Sequence, residues 1–175
     1  MKKNTITKMV FSAMFLSIAI ILPFFTGQIK QIGNALCPMH IPVMLCGYLC
    51  GPIYGLIIGF VAPYLRFLRF GMPLLMPSGI AMSLELATYG FMCGLLYRIF
   101  LHNKWRIYLS LFSAMIAGRV VWGIARTVLA GMTSSEFGWT VFLSGAVLSA
   151  IPGILLQIIF VPILVKVCEK NKSLY

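Results

Sequence analysis

Four arginines and one glutamate lie within or at the edge of segments otherwise built from apolar residues: Arg66, Arg69, Glu85, Arg119 and Arg126. An ionisable side chain in hydrocarbon costs on the order of 3 kcal/mol even on insertion-based scales, so each needs a partner or a task. The chain has 14 lysines and arginines against 3 acidic residues, a net charge of +11. Most of these arginines therefore cannot be neutralised from within. Guanidinium forks match planar pairs of oxygens. Several around one site point to a carboxylate- or phosphate-bearing ligand, or to a heterocycle rich in acceptors.

The spacing groups these residues. Arg119, Trp122 and Arg126 follow i, i+3, i+7 and share one helix face, as do Met82, Glu85 and Tyr89. Arg66 and Arg69 stand three apart near the end of an apolar run, and Gly145, Ser149, Gly153 and Gln157 recur at steps of four. Counted from the outer helix ends, Glu85 lies roughly 10 Å deep and Arg126 roughly 8 Å, matched depths at which the two could pair. His40, in the stiff run Pro38-Met39-His40-Ile41-Pro42, and Asn34 in the loop before it are further candidates for ligand contact. Trp122 shares the arginine face and could stack on a ring. The competing reading has Glu85 bridged to one arginine while the others reach the headgroups. In that reading Trp122 and Trp139 belong to an interfacial belt.

Other chemistries find little support. There is no Gly-x-x-x-x-Gly-Lys phosphate loop, no His-Glu-x-x-His, no carboxylate dyad and no serine with an obvious histidine partner. An enzyme is not expected, nor a cofactor. The five cysteines form no Cys-x-x-Cys, and Cys46 and Cys50, four apart, read as helix packing, so no metal is expected. The basic residues make no run interleaved with aromatics, which argues against nucleic acid.

The elements that must position this constellation are membrane helices. The chain is 61% hydrophobic with 10% charged residues, and its mean hydropathy is +0.99. It reads as a single membrane domain, residues 1–175, all-α and integral to the bilayer. Each crossing needs roughly 20 apolar residues, and the expected helices cover about 6–25, 39–50, 53–71, 79–101, 107–131 and 141–168. The stretch 39–71 is either one helix or two broken at Gly51-Pro52. Two helices make six in all, with both termini cytoplasmic and nine basic residues inside against three outside; one helix gives five against seven. The positive-inside rule favours six. The second helix is then short and needs support from its neighbours. The apolar stretch after Lys2 and Lys3 is longer than a usual signal-peptide core and reads as a retained first helix. Polar loops 26–38, 72–78 and 132–140 fall on the outer side, above the buried charges.

Residues 5 to about 168 resemble the substrate-binding S components of energy-coupling factor (ECF) vitamin transporters. The likeness lies in Pro38-Met39-His40-Ile41-Pro42-Val43, followed by Cys46-Gly47-Tyr48-Leu49-Cys50-Gly51-Pro52-Ile53-Tyr54-Gly55. It lies also in Ala13 and Ser17, which stand where the family has Ala-x-x-x-Ala in helix one. The resemblance implies a multi-pass subunit of the bacterial inner membrane that captures a vitamin or related micronutrient with high affinity. It implies docking, through the small-residue face of helix one, on a transmembrane coupling protein and two cytosolic ATPases, and toppling to deliver the ligand inward. Ala13 and Ser17 become the docking face. Asn34, His40, Glu85, Arg119, Trp122, Arg126 and Gln157 become the ligand shell, with Arg66 and Arg69 added by the charge argument. Pantothenate-like acids and pyridoxine- or pterin-like rings are the substrates expected; a neutral compound such as riboflavin stays open. Two other readings compete. One is an autonomous transporter with Glu85 as a proton switch, whose uptake would survive loss of the ATPases. The other is a small membrane enzyme or assembly subunit.

Overall fold

The computed structural model describes residues 2–24, 38–71, 73–100, 105–132 and 151–170. All regular structure among them is helical. Helix α1 (Lys2–Ile21) ends in a short tighter turn, Leu22–Phe24; α2 is His40–Cys50 and α3 Pro52–Phe70. A wide turn, Leu75–Gly79, leads into α4 (Ile80–Ile99), followed by α5 (Arg106–Met132) and α6 (Ile151–Lys170). Among the described residues four spans are long and apolar enough to cross a bilayer: Pro52–Phe70, Leu75–Ile99, Arg106–Gly131 and Ile151–Lys170. The apolar part of α1, Thr5–Ile21, and α2 are shorter.

The break between α2 and α3 has a clear cause. Gly51 has φ 116°, a conformation that a side chain disfavours. Its amide donates to the Cys46 and Gly47 carbonyls and closes α2. Pro52 then opens α3 at a first-turn position, where its missing N–H costs nothing. At 11 residues, α2 reaches only about 16 Å. It is nonetheless enclosed: ten of its residues are buried, and α1, α3, α4 and α6 pack around it.

Helix α4 is the axis of the bundle, packed against α2, α3 and α5. Glycines bring these backbones together. A Cβ on Gly47 would lie 2.2 Å from the Gly90 carbonyl oxygen, and one on Gly90 would lie 2.3 Å from that of Gly55. The Gly-rich passage around Gly51-Pro52 thus has separate jobs: Gly51 turns the chain, while Gly47 and Gly55 admit α4.

The basic end of the bundle gathers several helix ends. The Cys46 thiol meets the Ser12 hydroxyl at 3.6 Å, which sets the middle of α1 beside the second half of α2. Arg98 stands close over Gly51. At the same end, Glu169 of α6 accepts from Tyr97 of α4 and Arg106 of α5. The Arg106 guanidinium lies 4.7 Å from the Tyr97 ring centre. Tyr48 of α2 packs edge-on to Tyr97 at 5.2 Å and shares a 3.0 Å hydrogen bond with Ser110. The α2–α3 turn, the ends of α4 and α6 and the start of α5 therefore lie together.

Candidate functional site

A second polar layer lies farther along the same helices. Glu85, Arg119 and Gln157 each stand twelve or thirteen residues from a member of the Tyr97–Arg106–Glu169 cluster, about 18–20 Å at the helical rise. Glu85 is 3% exposed and its carboxylate lies 3.1 Å from the Arg119 guanidinium. The Tyr89 hydroxyl, one turn along α4, donates to the same carboxylate oxygen at 3.1 Å. His40 Nε2 is 3.8 Å from that oxygen, and its ring meets Tyr89 edge-on at 5.2 Å. Three helices thus converge on one carboxylate.

The pairing of Glu85 with Arg126 suggested by matched depths is corrected by this geometry. Arg126 Nη1 donates to the Ser78 hydroxyl at 3.2 Å, and its guanidinium lies 6.0 Å from the Trp122 ring centre. Antiparallel helices explain the shift. With Ser78 opposite Arg126, seven residues onward along α4 and seven back along α5 bring Glu85 to Arg119. The wide turn at Leu75–Gly79 sets that register by fixing where α4 begins. Arg126 consequently lies about 10 Å farther out than the Glu85 network. Trp122 packs beside Ala81, Ala125 and Leu129, with part of its ring open.

Arg66, half-buried near the end of α3, points inward. Its Nη1 donates to the thioether of Met39 at 3.3 Å, and Met39 is fully buried. Since His40 follows Met39 directly, Arg66 adjoins the Glu85 network across the start of α2. Arg69, one turn on, is exposed and does not join the group. Gln157 is 1% exposed, and its amide nitrogen has no hydrogen-bond partner among the described residues. Gly153 is buried on the same helix. Asn34 lies outside the described residues, as do Trp139, Gly145 and Ser149.

The structure therefore brings together His40, Arg66, Glu85 and Arg119, with Gln157 at matching height, Trp122 about one turn out and Arg126 about two. It adds Tyr89, Met39 and Ser78. Tyr89 was legible as an i+4 neighbour of Glu85, whereas Met39 and Ser78 carry no signal that marks them. Ala13 and Ser17 are exposed on α1, away from this layer, and the Ser17 hydroxyl folds back onto the Ala13 carbonyl at 3.0 Å. A separate cavity of about 580 Å³ between α1, α2 and α6 is lined by groups such as Phe15, Ile41, Leu45 and Phe160. Its apolar walls offer nothing to a charged solute. Among the described residues no group of three or more His, Cys, Asp or Glu could hold a metal ion.

An all-helical bundle with spans apolar enough for a bilayer defines a multi-pass membrane protein, and this one carries a partly buried layer of charged and polar side chains. Residues 7–165 match the family described as ECF transporter, substrate-specific component. The chain belongs to that family and is the substrate-binding subunit of an ECF transporter. No curated protein and no solved structure matches the chain.

Proposed function

We propose that this subunit captures a water-soluble vitamin or related micronutrient from outside the bacterial inner membrane, with high affinity, and releases it inward. Release occurs while it is docked, through Ala13 and Ser17 of α1, on a transmembrane coupling protein and two cytosolic ATPases. The observation that carries the reading is the polar layer around Glu85, remote from the basic end of the bundle. The positive-inside rule puts that basic end in the cytoplasm, so the layer lies toward the outer face. The ligand shell comprises His40, Arg66, Glu85, Arg119, Trp122, Arg126 and Gln157, with Asn34 and Arg69 as outer contributors.

The residues divide the work. Arginine forks fix acceptor oxygens, the open part of the Trp122 ring offers a stacking surface, and the Gln157 amide donates to a further acceptor. No phosphate loop is present in the sequence, so the energy for release comes from the ATPase partners. The test is uptake of labelled vitamins into cells expressing the chain, with and without those partners. Uptake should vanish with the ATPases; uptake that persists would make the chain an autonomous transporter.

A further inference from the structure

The three arginines of the polar layer are not equivalent, and the difference bears on the ligand. Arg119 already has a carboxylate at 3.1 Å. Arg126 has the Ser78 hydroxyl and lies near the Trp122 ring. Arg66, by contrast, has a sulfur atom as its hydrogen-bond acceptor, and no other is found for it among the described residues. A guanidinium carries five N–H donors, and a thioether is a weak acceptor. Removing such a group from water without strong acceptors is costly. Arg69, one turn on, is exposed, yet Arg66 turns inward onto Met39.

We infer that Arg66 is the seat for an anionic group of the substrate, a carboxylate or phosphate whose paired oxygens displace the Met39 sulfur. This rests on the receptor reading given above. It goes further in assigning the charge-recognition step to α3, and in making the substrate an acid. Arg119 already faces the Glu85 carboxylate, so within the shell the charge of the substrate falls first to Arg66. The seat is continuous with the rest of the layer, because the Met39–His40 peptide carries the sulfur on one side and an imidazole 3.8 Å from Glu85 on the other. The buried, unsatisfied Gln157 amide at similar height is a second group left for a ligand acceptor. A phospholipid phosphate has the same oxygen geometry and is the competing source of the anion.

The test purifies the full chain from its native membranes, and identifies bound small molecules and lipids by mass spectrometry, for wild type, R66Q, R66K and M39L. The expected compound on wild type is a small polar acid, at least tenfold depleted in R66Q. R66K keeps the charge but loses the fork, and should fall between the two. M39L removes the competing acceptor and should hold the acid at least as tightly as wild type. A neutral compound on wild type overturns the assignment while leaving the receptor reading intact. So does full retention of the acid in R66Q, or loss from R66Q of a phospholipid only. If R66Q fails to fold, R66K decides, and undiminished binding there overturns the seat. Depletion in M39L as deep as in R66Q would show that the contact merely braces the start of α2. If no small molecule accompanies wild type, the receptor reading itself fails, and this inference with it.

Discussion

At the scale of single residues, the Glu85 carboxylate is the group on which the polar layer turns. It accepts from Tyr89, faces Arg119 and stands beside His40. A buried ion pair adds little to stability over a well-packed apolar pair, but removing one partner strands the other charge, at about 3–5 kcal/mol. Glu85→Ala should therefore lower the thermal unfolding midpoint in detergent strongly, and Glu85→Gln with Arg119→Gln should recover part of the loss. An unchanged midpoint in Glu85→Ala would mean that water already reaches the pair. Arg126 is a different case, since it meets the Ser78 hydroxyl beside the Trp122 ring and stands apart from the Glu85 pair. Arg126→Ala should leave insertion and the unfolding midpoint near those of wild type. It should weaken ligand binding by about 2–5 kcal/mol, as truncating one partner of a desolvated charged contact does. Calorimetry with the co-purified ligand measures this directly.

At the scale of elements, the bundle depends on backbones meeting where side chains are absent. A Cβ on Gly90 would sit 2.3 Å from the Gly55 carbonyl oxygen, whereas one on Gly131 would meet nothing within 4 Å. Overpacking of a close interface costs about 1–3 kcal/mol. Gly90→Ala should lose that much in thermal unfolding, and Gly131→Ala almost none; equal effects would show that α4 can slide away from α3. The same elements show how far the sequence could be read. Gly51-Pro52 marked a possible break locally and the distribution of basic residues chose it over one long helix, while the shared face of Glu85 and Tyr89 was legible because helical spacing is local. The identity of Glu85's partner was not. It depends on a seven-residue register between α4 and α5, set by the irregular turn Leu75–Gly79, which has no period to read. Nor was the inward turn of Arg66, since spacing assigns a residue to a face but not to a neighbour. The tie between Tyr97, Arg106 and Glu169 joins positions far apart in the chain, and nothing local announces it.

At the scale of the whole molecule, the two proposed tasks, ligand binding and docking, fall to two regions. The polar layer is built mainly on α4, α5 and the start of α2, while α1 packs chiefly on α2 and α3 and turns its other side outward. That outer side carries Met9, Val10, Met14 and Ile18 as exposed apolar groups, with Ala13 and Ser17 among them. The Ser17 hydroxyl is spent on its own helix, so the strip presents small, smooth, apolar surface to the bilayer. Lipid tails are as apolar as such a strip, so association there comes from close packing, which small residues allow and large ones prevent. Ala13→Phe or Ser17→Phe should therefore abolish ATPase-dependent uptake while leaving ligand affinity within about twofold of wild type, since neither residue approaches the layer. Co-purification of the coupling protein with the variant, beside calorimetry on the isolated subunit, reads the two tasks separately. Loss of ligand affinity together with uptake would place α1 in the binding site and remove the separation of tasks. Loss of neither would move the partner's footprint to another face of the bundle.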